Sequence, residues 1–321
     1  MEREKNVDKP LVVNGIIYSP HFKVGGPYGR FGNNMYQLFN CLFLVDIFNS
    51  TIDVSKLSNL NWLVNINDLM KNVNGQKFIN RRLIIDHNYF YLNTVGQKIN
   101  RWSPFKLRGD LNYWINFRIG NNIINHRELS RKYILNNLRE EFSNVSAMSE
   151  RVCCIHIRSG DIFKRRLGSS MPKDYVQPPL AFYLKIIQDY WDDYDKFLIV
   201  TEMDRSNPCI NRLRMVGNKV EIQSKSLKED IKTMLSAQTL VIGTSTLPIC
   251  LAQISTNLKR IFICDRLAHN YQNRGNFDKD IEIILCRFKK TYIPKQTWVC
   301  SLEQVMKMIN YKMSDLVFVN I

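Results

Sequence analysis

One group of residues with chemical potential ends an apolar run in the middle of the chain, Cys154–Asp161, which reads CIHIRSGD. Because side chains alternate along a strand, we expect His156 and Arg158 to share one face near its carboxyl end. A guanidinium in that place can stabilise the charge that develops on a departing diphosphate. The alternative is an ion pair between Arg158 and Asp161 that holds the next loop. Polar side chains that end a buried strand need a partner, which favours the binding role.

A second group stands in the glycine-rich stretch Gly25–Gln37, which reads GGPYGRFGNNMYQ. Gly32 lets the backbone approach a ligand closely, and Arg30 can bind a phosphate or a carboxylate. Asn33 lies near an expected helix start, where backbone N–H groups favour anions. The alternative is a strand–turn–helix in which glycine makes the turn and Asn33 is the N-cap.

A third group, Gly243–Pro248 (GTSTLP), joins an apolar run to a helix that we expect to begin near Pro248. Its hydroxyl side chains and the N–H groups of the helix start would together form an anion cradle. Plain N-capping of the helix by one of these hydroxyls is the alternative. The predicted contacts of the cradle are Thr244, Ser245 and Thr246.

Two carboxylates form the fourth group, since Glu202 and Asp204 follow the apolar run Phe197–Val200. A carboxylate at a strand end can accept hydrogen bonds from a ribose or a nucleobase. The alternative is a loop carboxylate that is only solvated. Asp193 and Asp195 also form the DxD pattern of metal-dependent sugar transferases. They precede the strand instead of following it, so we interpret them as a solvated turn and expect no metal.

The second half of the chain predicts elements that bring these strand ends together. Short apolar runs alternate with segments of helical spacing, which is typical of βαβ units on a parallel sheet. Ligands bind such sheets at the carboxyl ends of the strands. The predicted strands are 151–157, 197–200, 219–222, 240–242 and 260–264. The predicted helices are 179–191, 208–216, 227–237 and 248–254.

The first half of the chain is less regular. It predicts a strand over 11–17, an amphipathic helix over 33–48 and a helix over 128–145 that leads into the second half. We therefore place the domain boundary near 148. The result is an N-terminal α/β lobe, 1–148, on the acceptor side, and a C-terminal Rossmann-like lobe, 149–321, that binds a nucleotide sugar. In this scheme the C-terminal tail is free to pack back on the N-terminal lobe.

Together the four groups resemble the fucosyltransferase superfamily, which includes the α-1,2-, α-1,6- and protein O-fucosyltransferases. The resemblance is carried by GRFGN at 29–33, HIRSGD at 156–161, the acidic strand end at 201–202 and TST at 244–246, in the family's order. It implies a GT-B-like α/β fold of two Rossmann-like lobes, GDP-fucose as donor, inversion at the sugar carbon and no metal or other cofactor. Most of 50–148 and the tail after 265 match nothing in the family.

Residue roles follow from the resemblance by position. It implies that Arg158 binds the donor diphosphate, that His156 and an acidic residue hold guanosine, and that the Ser/Thr turn binds phosphate. It also implies that the second group lines the cleft near the reacting sugar, through Arg30, Gly32 and Asn33.

Two departures from the family pattern bear on the donor. First, Glu202 stands where the family usually has Asp, and Asp204 could take that role instead. Second, the turn at 244–246 lacks the phenylalanine that usually follows its hydroxyl residue. Another nucleotide sugar is therefore the alternative donor. The catalytic base stays open between Asp161 and no strong base, because the loop of Asp161 can instead position Arg158.

Composition limits the partners. The formal net charge of +16 suits anionic partners such as nucleotide sugars, nucleic acid and membrane surfaces. Lys and Arg are scattered and no nucleic-acid motif occurs, so we keep a basic nucleic-acid-binding protein as the hypothesis of another class. Eight cysteines without a CxxC pair and five separated histidines predict buried thiols and no zinc site.

The predicted function is a glycosyltransferase that moves a sugar, L-fucose from GDP-fucose, to a hydroxyl of a glycan or glycoprotein. A pseudoenzyme that binds the sugar nucleotide without turnover is a further alternative. The charged first residues lack an apolar signal core, and no run approaches the ~18 apolar residues of a membrane span. We therefore expect a cytoplasmic protein; residence in the Golgi or ER lumen would require that the sequence be a trimmed form.

Overall fold

The structure is a computed structural model, and the chain divides into two compact units, Met1–Asn144 and Val145–Ile321. The structure describes residues 11–13, 16–18, 20–24, 30–48, 51–74, 81–86, 89–92, 98–100, 107–108, 118–119, 122–163, 175–264, 277–278, 280–290, 293 and 298–321.

Short strands dominate the described part of the first unit. They are β1 Leu11–Val13, β2 Ile16–Tyr18, β3 Pro20–Val24, β4 Thr51–Asp53, β5 Arg81–Asp86, β6 Tyr89–Leu92, β7 Lys98–Asn100, β8 Leu107–Arg108, β9 Arg118–Ile119 and β10 Asn122–Ile123. The central sheet has the order β4-β3-β5-β6-β7. It is parallel across β4, β3 and β5 and antiparallel beyond. The remaining strands form two small antiparallel sheets, β1-β2 and β10-β9-β8.

The single strand predicted over 11–17 is wrong, because β1 and β2 pair with each other as antiparallel neighbours. Val13 pairs with Ile16, and the two residues between them in the sequence are Asn and Gly. Asn-Gly is the dipeptide that two-residue hairpin connections favour, a signal that the apolar run obscured.

The helices of the first unit are α1 Phe31–Phe48, α2 Ile66–Asn74, α3 His126–Leu129 and α4 Glu140–Ser143, with 3-10 turns at Ser55–Leu60 and Leu135–Asn137 and a π-helical turn at Ser130–Ile134. The continuous helix predicted over 128–145 is therefore wrong. It breaks at Leu138, whose extended backbone forms a β-bridge with Val64. Next to the break, the Asn65 N–H donates to the Asn137 carbonyl at 2.7 Å.

Helix α1 joins β3 to β4, which makes a βαβ unit, but it is not amphipathic as predicted. From Asn34 to Val45 every side chain is buried. A helix that is buried on all sides belongs to the core, so its polar residues are buried together with the apolar ones. Asn34, Gln37 and Asn40, each at most 1% exposed, lie three residues apart and so form one polar row.

The second unit is built on one large sheet. Its strands are β11 Val152–Ile157, β12 Lys196–Thr201, β13 Val220–Gln223, β14 Thr239–Ile242, β15 Arg260–Cys264, β16 Glu282–Phe288 and β17 Leu316–Asn320. Their order is β13-β12-β11-β14-β15-β16-β17. All neighbours are parallel except β17, which is antiparallel to β16. This is the doubly wound Rossmann order with one strand added at an edge.

Helices connect these strands, as predicted. They are α5 Leu180–Asp189, α6 Cys209–Leu213, α7 Leu227–Ser236, α8 Thr246–Ile254 and α9 Leu302–Ile309, with 3-10 turns at Gly160–Phe163 and Met313–Asp315. Helix α8 begins two residues before the predicted start, so Pro248 is its third residue. The first helical residues have no intrahelical partner for their N–H groups, so a proline is tolerated there.

The predicted α/β class is confirmed, and the described tail belongs to the second unit. Strands β16 and β17 extend its sheet, and helix α9 lies between them in the sequence; none of the three was predicted. The Trp298 indole N–H donates to the Ile162 carbonyl at 2.7 Å, so the tail also holds the 3-10 turn after β11. In the described part of the chain, no helix combines the length and apolar character that crossing a membrane needs.

Candidate functional site

The strand order places a topological switch point between β11 and β14. Strands β12 and β13 lie on one side of β11, and β14 to β16 lie on the other. Doubly wound sheets bind ligands outside the carboxyl ends of the strands at such a point. His156 pairs with Ile242 across the two strands, which are separated by the usual spacing of about 4.8 Å. The loop of Arg158 and the turn after Ile242 therefore leave the sheet side by side.

Arg158 is a cation at this edge, and its side chain is only 15% exposed. Its Nη2 lies 3.5 Å from Asp161 Oδ1, so the ion pair weighed as an alternative is present. Its guanidinium carbon lies 5.2 Å from the ring centroid of Tyr175. A planar guanidinium with five N–H donors matches the geometry of a phosphate.

His156 is a buried neutral group beside Arg158. It is 6% exposed, and its Nδ1 has no hydrogen-bond partner among the described residues. Burial, together with the charge of Arg158, lowers the pKa of His156 to about 3. His156 lies in the same row of the sheet as Gln223, whose amide bonds to Asp230 of α7. It therefore faces the side that α7 and α8 cover.

The turn after β14 is tight, and its hydroxyl residues have different tasks. A Cβ on Gly243 would lie 3.0 Å from Tyr183 Oη and 3.1 Å from the His156 carbonyl oxygen. The Thr244 hydroxyl donates to the Val176 carbonyl at 2.9 Å, so it serves the turn itself. Ser245 is the N-cap of α8, yet its side chain makes no capping hydrogen bond. The capping alternative therefore does not hold for Ser245.

Thr246 is the first residue of α8 and is half-buried. Its N–H belongs to the group that a helix cannot satisfy internally, at the end where the helix dipole attracts anions. Together with Ser245, it gives the turn after β14 the character of an anion site.

The acidic residues after β12 lie one strand further from the switch point, since β12 neighbours β11. Asp204 Oδ1 accepts from the Gly160 N–H at 3.0 Å and from the Ser206 N–H at 3.2 Å. Burial alone would raise the pKa of Asp204, but hydrogen bonds from Ser206 and its neighbours outweigh burial and lower it. Asp204 thus braces the loop of Arg158. Glu202 is half-buried, and its carbonyl accepts from Ser224 at 3.1 Å.

The predicted residues of the first unit lie at the start of α1. Arg30 precedes the helix and is exposed, Gly32 is buried and Asn33 is half-buried. Asn33 is the third helical residue, and the first helical hydrogen bond runs from the Asn34 N–H to the Arg30 carbonyl at 3.1 Å. The alternative in which Asn33 caps the helix is therefore wrong. The contacts of Arg30, Gly32 and Asn33 with a sugar stay predictions.

Within the part of the chain that the structure describes, no three His, Cys, Asp or Glu side chains are grouped as a metal site would need. Asp195 of the DxD pattern makes a bidentate contact with Arg151, with distances of 2.7 and 2.6 Å. Asp193 and Asp195 are exposed in the turn before β12, at the amino edge of the sheet.

Sequence reasoning missed the residues that hold the site's loops. Tyr175 stacks on Arg158, and the Gln177 amide donates to the Thr244 carbonyl at 3.1 Å. Asn207, fully buried, donates to the Arg158 carbonyl at 3.0 Å. The sequence signal for Asn207 is the Asn-Pro dipeptide before a helix, which is typical of turn initiation.

Comparison with known proteins finds little similarity in sequence. No protein-family model matches the chain, and no curated protein matches it. The crystal structure of POFUT1 in complex with GDP-fucose covers 78% of this chain and 99% of its own, with a TM-score of 0.38 and 8% identity. A structure of POFUT1 in complex with GDP covers 76% and 98%, with a TM-score of 0.35 and 9% identity. At these values, a function has to be argued from the residues of this chain.

Proposed function

We propose that the chain is a glycosyltransferase that binds the diphosphate of a nucleotide sugar at the switch point between β11 and β14. One observation carries this proposal: the strand order brings Arg158 beside the N-terminus of α8, where the Ser245 hydroxyl does not cap the helix. A guanidinium, a hydroxyl and helix N–H groups together suit an anion with two phosphates.

The proposed reaction uses this cradle to stabilise the leaving group. A hydroxyl oxygen of the acceptor attacks the sugar carbon from the face opposite the nucleotide, with inversion, and the bond from that carbon to the phosphate oxygen breaks. The bonding electrons go to the nucleoside diphosphate, whose charge Arg158, Ser245 and the first N–H groups of α8 stabilise. The transition state is oxocarbenium-like, as in other glycosyl chemistry.

The acceptor's proton needs a destination. Asp161 is our candidate base, and its contact with Arg158 gives it a second task, which is to hold the guanidinium. In our proposal the positive charge of Arg158 takes the place that a divalent cation has in metal-dependent transferases.

We propose GDP-fucose as the donor, because the GRFGN and HIRSGD motifs together resemble the fucosyltransferases. His156 and Glu202 would then contact guanosine, and Arg30, Gly32 and Asn33 would face the sugar and a glycan or glycoprotein acceptor. A different nucleotide sugar on the same fold is the second candidate, favoured by Glu202 in place of the usual Asp.

Arg158→Ala tests the proposal, with Arg151→Ala as the matched control. Both residues flank β11 and both pair with an aspartate, but Arg151 lies at the amino edge of the sheet. We expect Arg158→Ala to slow the release of GDP from GDP-fucose by roughly 10²- to 10³-fold, as for the loss of one oxyanion donor. Arg151→Ala should keep wild-type turnover.

A thermal-shift panel with GDP, UDP and RNA distinguishes the alternatives. Ligands that bind only the folded chain raise its melting temperature, and we expect GDP to raise it more than UDP. A larger shift with UDP would favour the second donor. Equal turnover by Arg158→Ala and the wild type would contradict the mechanism. Salt-dependent RNA binding without any nucleotide shift would replace it with the nucleic-acid hypothesis.

A further inference from the structure

The loop that carries Arg158 is held from the neighbouring strand by one fully buried side chain. Asn207 is 0% exposed, and its Nδ2 donates to the Arg158 carbonyl at 3.0 Å. Its main-chain N–H donates to Ser159 Oγ at 2.9 Å. Its Oδ1 accepts from the N–H of Cys209, which is the first residue of α6, also at 2.9 Å. Asn207 therefore joins the exit of β11 to the start of α6.

Its neighbours complete the connection. The Gly160 N–H donates to Ser206 Oγ at 2.9 Å and to Asp204 Oδ1 at 3.0 Å. Gly160 has a φ of 74°, a conformation that glycine adopts without strain. We call Asp204–Asn207 the loop brace. It fixes the three consecutive residues 158 to 160 by hydrogen bonds to their main chain or side chain.

This geometry matters because an arginine side chain is long and flexible. Its guanidinium is placed by the direction in which the main chain leaves the strand, and also by Tyr175 and Asp161. A group that must meet a leaving phosphate has to be held to within about 0.5 Å, which requires support from a surrounding shell of residues. Asn207 gives such support through the Arg158 carbonyl, whose carbon is bonded directly to the Cα.

We propose that Asn207 is a positioning residue, which acts through Arg158 by fixing its carbonyl and so orienting its guanidinium toward the diphosphate. The proposal rests on the proposed function of the switch point. It assigns a role to a residue outside every motif of the sequence. Asn207 is fully buried, so we expect it to act on the ligand only through Arg158, and its effect should exist only while Arg158 is present.

The chain offers a matched control in Asn257. Its Nδ2 donates to two main-chain carbonyls, Val145 and Leu235, both at 3.0 Å. Asn257 lies between α8 and β15, at the amino edge of the sheet. It therefore has the same chemistry as Asn207 but stands at the edge away from Arg158.

The test is the affinity for GDP, measured by calorimetry on the full chain. We expect Asn207→Ala to bind GDP about tenfold more weakly than the wild type, the equivalent of one hydrogen bond to a charged group. Asn257→Ala should stay within about a factor of two. In the Arg158→Ala background, Asn207→Ala should weaken binding by less than about a factor of two, because the residue through which it acts is gone.

Several outcomes would overturn the inference. They are an equal loss from Asn207→Ala with and without Arg158, an equal loss from Asn257→Ala, and no loss at all. If Asn207→Ala does not fold, Ser159→Ala takes its place, since it removes the hydroxyl that accepts from the Asn207 N–H and contacts Ser206 of the loop brace; we expect about a threefold loss that again requires Arg158. A wild-type chain that binds neither GDP nor UDP would overturn the proposed function first.

Discussion

Buried polar side chains bond to one another in helix α1 of the first unit, whereas at the carboxyl edge of the second unit's sheet they bond to the main chain of loops. In α1, Asn34 Nδ2 donates to Gln37 Oε1 at 2.8 Å, and Asn34 Oδ1 accepts from Asn59. At the sheet edge, Asn207 and Thr244 donate to carbonyls of other segments.

The difference indicates which buried polar side chains stabilise the fold and which ones hold the loops of a binding site in place. The main chain within a helix is already satisfied, so its polar side chains bond to other side chains, as Asn34 does to Gln37 and Asn59, and add to the core. Loops have unsatisfied main-chain groups, and side chains that bond them fix the loop's course. We therefore expect mutations in the polar row of α1 to change stability and mutations in the loop brace to change affinity.

The largest effect on stability should come from Asn34→Ala. This change removes a donor from Gln37 and an acceptor from Asn59, and a buried polar group that loses its partner costs about 1–3 kcal/mol. Thermal unfolding should show the loss, while GDP affinity stays at the wild-type value. Asn72→Ala is the control, because Asn72 is exposed and its side chain donates to Asn137. If Asn34→Ala lowered the affinity for GDP and left the stability unchanged, the difference that we expect between α1 and the sheet edge would be contradicted.

The next effect is a pH dependence at the sheet edge. The pKa of His156 is lowered to about 3 by burial and by Arg158, whereas an unfolded histidine titrates near 6.5. The unfolded chain therefore binds the proton first, and stability falls as the pH drops below about 6.5, by at most about 1.4 kcal/mol per pH unit. His156→Gln should lose this dependence.

Denaturant unfolding at about pH 7.5 and about pH 5.5 measures it, because carboxylates titrate little in that window. A wild-type stability that falls no more than that of His156→Gln would mean that His156 is not held neutral.

The smallest effects separate two serines that occupy the same position in different helices. Ser226 caps α7, since its Oγ accepts from the Glu229 N–H and the Glu229 carboxylate accepts in return. Ser245 is the N-cap of α8 without such a bond. Ser226→Ala should cost about 1 kcal/mol of stability and leave GDP affinity unchanged. Ser245→Ala should weaken GDP binding several-fold, by about 1 kcal/mol, at unchanged melting temperature. The opposite assignment would remove Ser245 from the site.

The strands of the second unit's sheet could be predicted from β11 to β15, because each is a short run rich in apolar residues; all of them except the half-buried edge strand β13 are buried. Arg158 and Ser245 followed from the same logic, since polar residues directly after a buried strand stand at the edge where ligands bind. The extent of burial around α1 could not be predicted, because Asn34 and Gln37 look like a solvated face until their partners are known.

The loop brace could not be predicted from the sequence for a related reason. Asn207 and Arg158 are 49 residues apart, and the bond between them depends on β11 and β12 being neighbours. Gln177 likewise acquires its partner, the Thr244 carbonyl, only when the turn after β14 lies beside β11. Local patterns thus indicated the ends of the strands, but the contacts between loops are a property of the strand order.

A crystal structure of the chain with GDP bound is the most direct test of the central claim. The account predicts that the diphosphate lies outside the carboxyl ends of β11 and β14, with an oxygen within hydrogen-bond distance of the Arg158 guanidinium and another at the Ser245 hydroxyl or the first N–H groups of α8. GDP bound at another edge of the sheet, with Arg158 turned away from it, would contradict the account.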